Sequence, residues 1–296
     1  MTNTVCAFDH SKEGDQCGNN KRAPPRADGL ALFSWVRYPL AVNVAALQFN
    51  LAWEDKPANF AKVRQLLTTH RPAPGSLVAL PEMFATGFSM DISSVAETAD
   101  GPTGHILSGL AREFQLCLVA GAAIRGIDGR PRNKALVFSP DGQLLSSYAK
   151  MRLFSPAKEG EHYAAGDQPV VFSWGGYQVA PFICYDLRFP ELFRAAAAQH
   201  RPELFIVIAN WPEKRTHHWV RLLQARAVEN QAFVLAVNRI GSDPYYSYAG
   251  RSLVIDPQGE ILADAGDAET CLQASLDLTA LREYRRGLPF LDDLRL

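Results

Sequence analysis

Three residues with different chemistry stand at comparable places in this chain. Glu82, Lys150 and Cys184 each come directly after a segment that is typical of a β-strand. In open α/β sheets the carboxyl ends of the strands lie along one edge, and ligands bind there. We therefore expect a carboxylate, an ammonium group and a thiol to converge in one pocket, although they are far apart in sequence.

Cys184 ends an apolar strand shortly before Pro190 and Glu191, which are typical of a helix start. A sulfur in this position is exposed, has backbone N–H donors nearby, and lies in a field that favours thiolate over thiol. The alternative is a buried cysteine that packs as a small hydrophobic residue. Because Glu82 and Lys150 also stand at strand ends, we favour the interpretation of Cys184 as a nucleophile.

Glu82 and Lys150 supply what a thiol of ordinary pKa, about 8.5, needs at neutral pH. Glu82 can accept the thiol proton, and Lys150 can provide positive charge and donate to the oxyanion of a tetrahedral intermediate. The predicted reaction is attack on an amide carbonyl, release of ammonia, and hydrolysis of the thioester by a water that Glu82 deprotonates. The backbone N–H of Tyr185 is a second candidate oxyanion donor. This chemistry requires no metal and no organic cofactor.

Each partner also has a structural alternative. Lys150 could simply end a hairpin strand, since most lysines are solvated surface residues. Glu159 could hold Lys150 and orient the substrate, or it could be an exposed loop acid. The pair His217-His218 invites a metal-site interpretation. Adjacent helical residues point about 100° apart, so a helix that starts near Thr216 explains the pair better than two metal ligands do.

The whole chain has the composition of an ordinary globular protein. It has 296 residues, 47% hydrophobic and 21% charged, with a formal net charge of −1. There is no basic run, no segment long enough to span a membrane and no secretory signal, so we expect no nucleic acid or membrane partner and a cytoplasmic location. The cysteines are odd in number and without CxxC spacing, which predicts reduced thiols: Cys6, Cys17, Cys117, Cys184 and Cys271.

The chain divides into a polar segment, one large domain and a tail. Residues 1–37 lack hydrophobic periodicity and predict a flexible extension. Residues 38–280 alternate strands and helices without a linker, which predicts a single α/β domain. Continuous apolar runs such as 204–209 indicate strands buried on both faces, covered by helices and by another sheet. Residues 281–296 form a tail that could pack on a partner subunit or on its own subunit.

The predicted elements follow a strand-then-helix rhythm that recurs in both halves. The strands are predicted at 41–49, 77–81, 116–124, 135–138, 143–148, 204–209 and 233–238, with one more that leads into Cys184 and further strands on either side of 256–259. The helices are predicted at 59–67, 106–114, from 191, and at 216–229. Turn sequences at 140–142 and 175–176 predict hairpins.

Together these residues resemble the nitrilase, or carbon–nitrogen hydrolase, superfamily over about residues 40–280. The blocks that carry the resemblance are Leu-Pro-Glu-Met-Phe around Glu82, Lys150, and Cys-Tyr-Asp-Leu-Arg-Phe-Pro from Cys184. The resemblance implies an α-β-β-α four-layer sandwich with Glu82, Lys150 and Cys184 as a triad. It also implies that Glu159 is the family's additional active-site glutamate, and that the protein is a homodimer that meets through helices beside the active site.

Within this superfamily the chain is most similar to the omega-amidase branch. The similarity rests on the Tyr-Asp after Cys184, where nitrilases have Trp-Glu, and on the blocks at 210–212, 226–231 and 238–243. The branch hydrolyses the side-chain amide of 2-oxoglutaramate or 2-oxosuccinamate. The remaining carboxylate of such a substrate needs a cation, for which Arg188 is the first candidate and Arg239 the second.

Two further residues complete the predicted substrate site, and one residue departs from the family pattern. Tyr185, beside the nucleophile, and Trp211, in the block at 210–212, are candidate substrate contacts. Arg152 stands two residues after Lys150, where the family often has histidine. The departure bears on the electrostatics of the pocket and leaves the triad intact.

Other functions remain open at this point. Deaminated glutathione amidase and N-carbamoyl amine amidohydrolase are the nearest alternatives, and nitrile hydrolysis is a more distant one. A non-catalytic binding protein would not need Glu82, Lys150 and Cys184 together. A subunit that feeds ammonia from glutamine to a synthetase would require a separate partner protein.

Overall fold

The computed structural model describes residues 41–295, so the predicted extension at 1–37, with Cys6 and Cys17, lies outside the described residues. Residues 41–162 contain five strands and four helices. In chain order they are β1 (Ala41–Gln48), α1 (Lys56–His70), β2 (Leu77–Ala79), α2 (Ile92–Val95), α3 (Pro102–Phe114), β3 (Cys117–Arg125), β4 (Pro131–Phe138), β5 (Leu144–Ala149) and α4 (Glu159–His162).

The second half contains the remaining strands and helices. They are β6 (Phe172–Trp174), β7 (Tyr177–Ile183), α5 (Pro190–His200), β8 (Leu204–Ala209), α6 (Thr216–Asn230), β9 (Phe233–Asn238), β10 (Ile240–Ser242), β11 (Ser247–Ala249), β12 (Leu253–Ile255), β13 (Ile261–Asp264), β14 (Thr270–Asp277) and α7 (Leu278–Gly287). The 3₁₀ turns are at Ser155–Ala157, Cys184–Arg188, Glu213–Arg215 and Phe290–Asp293.

These strands form two six-stranded mixed sheets. The first sheet has the order β14-β1-β2-β3-β4-β5, with β1, β2 and β3 parallel and the other pairings antiparallel. The second sheet has the order β13-β12-β9-β8-β7-β6, with β7, β8 and β9 parallel. A two-stranded sheet of β10 and β11 stands apart from both. The predicted α/β class is confirmed.

The sheets are buried on both faces, as continuous apolar runs require. In β1, Val44 and Ala46 belong to the core shared with the second sheet, while Ala45 and Leu47 belong to the core that includes residues of α1 and α3. Strand residues alternate between faces, so one strand serves two cores. On the far side of the second sheet, α5 and α6 contribute Phe193 and other residues to the shared core. This gives the predicted α-β-β-α order of layers.

The elements near the C-terminus differ most from the sequence prediction. Strand β14 was not predicted, and it adds an edge strand to the first sheet by pairing with β1. Helix α7 runs through the boundary predicted between residues 280 and 281.

Within residues 41–295 no helix is both long and apolar enough to cross a membrane. Cys117, Cys184 and Cys271 are free thiols.

Candidate active site

The carboxyl ends of β2, β5 and β7 deliver the three predicted groups to one cavity. Lys150 directly follows β5, Cys184 directly follows β7, and Glu82 lies three residues beyond β2. All three side chains line the same cavity, together with the predicted substrate residues Tyr185, Arg188 and Trp211. Strand β5 runs in the same direction as β2 because two antiparallel pairings separate it from β3, so both ends reach the same edge.

Cys184 occupies a sharp bend between β7 and α5. Its φ angle of 45° lies in the left-handed region, which is costly for a residue with a Cβ. A 3₁₀ turn from Cys184 to Arg188 follows, so the chain does not enter α5 directly. The bend presents the half-buried sulfur to the cavity, and Sγ lies 3.8 Å from the backbone oxygen of Asn210.

Lys150 is fully buried between two carboxylates. Its Nζ donates to Glu82 Oε1 at 2.9 Å and to both oxygens of Glu159, at 3.1 and 2.9 Å. Burial alone lowers the pKa of Lys150, but the charges of Glu159 and Glu82 outweigh that effect and raise it. Lys150 is therefore a permanent cation at neutral pH.

Glu82 accepts three hydrogen bonds and has room for one more. Oε1 accepts from Lys150 and, at 2.7 Å, from Asn133 Nδ2, while Oε2 accepts from the backbone N–H of Asn210 at 2.9 Å. A carboxylate offers about four lone-pair sites. The site that remains is available to a proton from Cys184 or from a water molecule.

Glu159 has all four of its acceptor sites filled. Oε1 accepts from Asn133 Nδ2 at 3.0 Å and from Lys150, and Oε2 accepts from Lys150 and from the backbone N–H of Phe154 at 2.6 Å. It is completely buried, so the alternative of an exposed loop acid is wrong. Because no lone pair is free, Glu159 can hold Lys150 but is not placed to take up a proton.

The thiol of Cys184 is held in its protonated form. Loss of hydration is the main cause that raises its pKa well above the ordinary value, and the charge of Glu82 adds to it, while Lys150 acts in the opposite direction. The expectation that the strand end favours the thiolate is therefore wrong for this state of the site. Two carboxylates surround one lysine, so a nucleophilic sulfur at this position would need a proton acceptor for its activation.

Two asparagines hold the carboxylates, and neither is among the predicted site residues. Asn133 lies in β4 and donates to Glu82 and Glu159, and Asn210 follows β8 and donates from Nδ2 to the backbone oxygen of Glu82 at 2.8 Å. The rule that selected Glu82, Lys150 and Cys184 also applies to Asn210, which directly follows a strand. Asn133 is a polar residue in mid-strand, so only its burial identifies it.

Asp186 joins the segment of Cys184 to the segment of Lys150. Its Oδ2 accepts from the backbone N–H of Ile183 at 3.0 Å and from the hydroxyl of Tyr148 at 2.8 Å, and its Oδ1 accepts from the backbone N–H of Arg152 at 2.8 Å. Burial raises the pKa of Asp186 to about 6, although these hydrogen bonds oppose the shift. The side chain thus fixes the residues on either side of the cavity.

One wall of the cavity is aromatic and cationic. The guanidinium of Arg188 lies over the ring of Trp211, 4.7 Å from its centre, and Arg215 also lines this wall. Neither arginine forms an ion pair with any residue in 41–295. The space between the atoms of the cavity, including space open to solvent, is about 390 Å³.

Arg239 is not part of this wall. It is fully buried, lies outside the cavity lining, and donates to Asn50 and to the backbone oxygens of Leu51, Ile240 and Ser242. The prediction that Arg239 contacts the substrate is corrected by this position, because its donors hold loop backbone instead. Arg152 also lies outside the lining and pairs with Glu191 at 3.4 Å.

The histidine pair belongs to the start of α6, as expected. Among the described residues no group of three or more His, Cys, Asp or Glu side chains is arranged to hold a metal ion. His218 lies beside Arg188, with Nδ1 at 3.3 Å from a guanidinium nitrogen. The pair is therefore next to the cavity wall without forming a metal centre.

The sequence and the fold of this chain are similar to those of known proteins. The family model described as carbon-nitrogen hydrolase matches residues 43–286. The protein named Omega-amidase YafV of Escherichia coli strain K12 is 38% identical, over 85% of this chain and 96% of its own length. The 2-oxoglutaramate amidase of Bacillus subtilis strain 168 is 34% identical, over 86% of this chain and 97% of its own length.

A solved structure extends the comparison to three dimensions. XC1258 from Xanthomonas campestris, described as a CN-hydrolase superfamily protein with an arsenic adduct in the active site, is 34% identical to this chain. It aligns with a TM-score of 0.82 over 86% of this chain and 98% of its own. The fold therefore matches that protein over nearly its entire length.

Proposed function

This chain belongs to the carbon–nitrogen hydrolase family, and we propose that it acts as an omega-amidase on small 2-oxo acid amides. Family membership makes it a hydrolase of carbon–nitrogen bonds other than peptide bonds. The observation that carries the narrower proposal is the pair of arginines, Arg188 and Arg215, that lines the cavity without a carboxylate partner among residues 41–295. A substrate with a free carboxylate would supply that partner.

In the proposed first half of the reaction, the thiol of Cys184 attacks the amide carbon. Glu82 takes the thiol proton on its unused lone pair, a carbon–sulfur bond forms, and the carbonyl oxygen becomes an oxyanion. As the intermediate collapses, the carbon–nitrogen bond breaks and Glu82 returns the proton to nitrogen. Ammonia leaves, and the acyl group stays on sulfur as a thioester.

In the second half, water replaces the sulfur. Glu82 takes a proton from the water, an oxygen–carbon bond forms, and collapse of the second intermediate breaks the carbon–sulfur bond. The proton returns to sulfur, and the dicarboxylate leaves. Lys150 and the backbone N–H of Tyr185 are the proposed donors to the oxyanion in both halves, and each such donor is worth roughly 3 kcal/mol in well-studied hydrolases.

The size of the cavity supports a small substrate over a peptide-like one. The space between its atoms is only about 390 Å³ even when space open to solvent is included, which leaves little room for a peptide-like substrate. A dicarboxylic monoamide such as 2-oxoglutaramate or 2-oxosuccinamate fits this description. Deaminated glutathione and N-carbamoyl amines are the competing substrates, and they are included in the test.

The test is release of ammonia from purified protein with 2-oxoglutaramate, 2-oxosuccinamate, deaminated glutathione, an N-carbamoyl amine and glutamine. We expect the highest kcat/KM with a 2-oxo acid amide. A higher value with deaminated glutathione would move the protein to that activity, and a preference for glutamine would favour an ammonia-supplying subunit.

Variants of Cys184, Lys150, Glu82 and Glu159 test the roles in the mechanism. Cys184→Ser, Lys150→Met and Glu82→Gln should each lower kcat, by about 10²–10⁴-fold for the proton-transfer residue Glu82. Glu159→Gln keeps the side-chain volume but weakens the hold on Lys150, so we expect a smaller loss than with Glu82→Gln. Full activity of Cys184→Ser, or a Glu159→Gln variant that loses more than Glu82→Gln, would contradict the assignment.

A further inference from the structure

His218 contacts the cation that the proposed substrate needs. It lies in the first turn of α6, and its Nδ1 is 3.3 Å from a terminal guanidinium nitrogen of Arg188. The same guanidinium lies over the ring of Trp211, 4.7 Å from its centre. Arg188 is therefore held by a ring face and by an imidazole nitrogen.

The chemistry of arginine fixes the form of this histidine. A guanidinium has five N–H donors and no acceptor, so Nδ1 of His218 must be the acceptor. The imidazole is then neutral, with its proton on Nε2. The surroundings favour this neutral state. Loss of hydration lowers the pKa of His218, and the nearby His217, Arg188 and Arg215 lower it further.

A neutral acceptor is suited to holding a cation that must stay unpaired. A carboxylate in the place of His218 would also hold Arg188, but it would neutralise the charge that attracts the substrate. The imidazole uses one of the five donors and adds no negative charge. Arg188 and His218 are both half-buried, so the contact is formed at the wall of the cavity rather than in bulk solvent.

We propose that neutral His218 is a positioning residue that fixes Arg188 against Trp211 in the orientation that receives the carboxylate of the substrate. The inference rests on the proposed function in one respect, which is that the substrate is an anion. His218 does not touch the reacting carbon in this scheme, and it acts only through Arg188. Its neighbour His217 packs on it, with ring centres 4.1 Å apart, but has no described bond to Arg188.

The experiment measures kcat and KM for three variants with a 2-oxo acid amide. His218→Leu removes the acceptor, and we expect KM to rise about tenfold with little change in kcat, since hydrogen bonds to charged groups are among the stronger ones. His218→Asn places an acceptor oxygen near the position of Nδ1 and should restore most of the affinity. His217→Leu is the matched control on the same helix and should leave KM within about twofold.

Two further measurements separate positioning from a general structural role. In a double-mutant cycle, His218→Leu should add little to the loss caused by Arg188→Gln, because both changes remove one interaction. With a neutral amide such as butyramide, His218→Leu and the wild type should have the same kcat/KM. A loss that appears equally with both substrates would overturn the inference.

The dependence of KM on pH gives a third measurement. Protonation of Nδ1 removes the acceptor and sets a second cation beside Arg188, with His217 and Arg215 as the other charged or titratable neighbours. KM of the wild type should rise as the pH falls below the ordinary pKa of histidine, about 6.5, while KM of His218→Asn should not. A fall in KM at low pH would show that His218 acts as a cation for the substrate and would overturn the inference.

These outcomes can be told apart from failure of the proposed function. If the wild type releases no ammonia from 2-oxo acid amides, the proposed function is wrong. If the wild type is active on them and His218→Leu leaves KM unchanged, the proposed function stands and the role of His218 is wrong.

Discussion

At the scale of single residues, lone pairs distinguish the two glutamates that contact Lys150. Glu82 and Glu159 both contact Lys150 and Asn133, and both are buried. Glu82 has one acceptor site left, and Glu159 has none. The capacity to take up a proton therefore depends on the number of donors already bound and not on which carboxylate is nearer to the lysine.

Asp186 allows a prediction about stability and pH. Its pKa is about 6 in the folded protein and near 4 in an unfolded chain, so the folded state binds the proton more tightly. The stability that this group contributes is fully present below about pH 4 and is lost as the pH rises past about 6. The size of this change is about 3 kcal/mol for a shift of about two units.

Comparison with Asp186→Asn isolates this contribution from other carboxylates. The free energy of unfolding of the wild type, minus that of the variant, should fall as the pH is raised from 4 to 7. Urea denaturation at several pH values measures it. A difference that stays constant over this range would show that Asp186 has an ordinary pKa in the fold.

At this scale the sequence predicts the residues that could do chemistry but not the residues that hold them in place. Cys184, Lys150 and Glu82 could be predicted because each follows a strand, and strand ends share an edge. Asn133 could not, because nothing in the order of residues tells which face of β4 it occupies in relation to Glu82. The direction of the Cys184 pKa shift also depends on how many charges are buried around it, which only the assembled site defines.

At the scale of elements, the site is built from tight turns with unusual backbone angles. Met83, Lys158 and Cys184 have φ angles of 43°, 55° and 45°. Each is a catalytic candidate or its direct neighbour in sequence. Backbone strain of this kind tends to concentrate at functional sites, where the rest of the fold holds it in place.

Gly121 in β3 packs closely against the backbone of Glu82 and so positions it. A Cβ on Gly121 would lie 2.4 Å from the backbone nitrogen of Met83 and 2.6 Å from Cα of Glu82. Gly121→Ala should therefore push Glu82 away from Cys184 and Lys150. A displacement of about 1 Å can cost about 10²-fold in rate, so we expect a loss in kcat of that order.

The control for this variant is Gly109→Ala in α3. A Cβ at Gly109 meets no atom within 4 Å, so activity should be unchanged and the helix slightly stabilised. The measurements are kcat and the urea midpoint for both variants. If Gly121→Ala keeps its full kcat, the close packing of β3 against Glu82 does not set the geometry of the site.

The predicted strands agree with the structure where the hydrophobic pattern is strong, and they are missed where a strand pairs with one that is distant in sequence. Strands 204–209 and 233–238 agree with β8 and β9 because continuous apolar runs admit few alternatives. Strand β14 is half-exposed and pairs with β1 at the opposite end of the described chain. No local pattern specifies such a partner, so this edge of the first sheet could not be predicted.

At the scale of the whole molecule, the C-terminal segment is part of its own subunit's fold. Leu281 is buried in the core shared by the two sheets. Arg285 donates to the backbone oxygens of Arg201, Pro202, Asn230 and Gln231, which lie at the ends of α5 and α6. One side chain thus caps two helices, and burial lowers its pKa to about 10, so it stays charged at neutral pH.

Arg285→Met should therefore destabilise the fold. Four carbonyl groups lose a charged donor, and we expect the free energy of unfolding to fall by about 2–3 kcal/mol. Urea denaturation measures the change. Arg286→Met is the control, because Arg286 is the next residue, is exposed and has no described hydrogen bond. Equal losses of stability in the two variants would contradict the capping role of Arg285.

A homodimer remains a prediction at this scale. The contacts of Leu281 and Arg285 within the subunit do not prevent the outer faces of α5 and α6 from meeting a second copy. Sedimentation of the purified protein over a range of concentrations measures the assembly.

The pairing of β1 with β14 has a consequence for biosynthesis. On the ribosome, β1 emerges early, but its antiparallel partner does not exist until synthesis has passed Asp277. Until then the nascent chain presents an open strand edge, the kind of surface that attracts other unpaired strands. The first sheet is therefore completed late in synthesis, and the edge of β1 that pairs with β14 stays open through most of elongation.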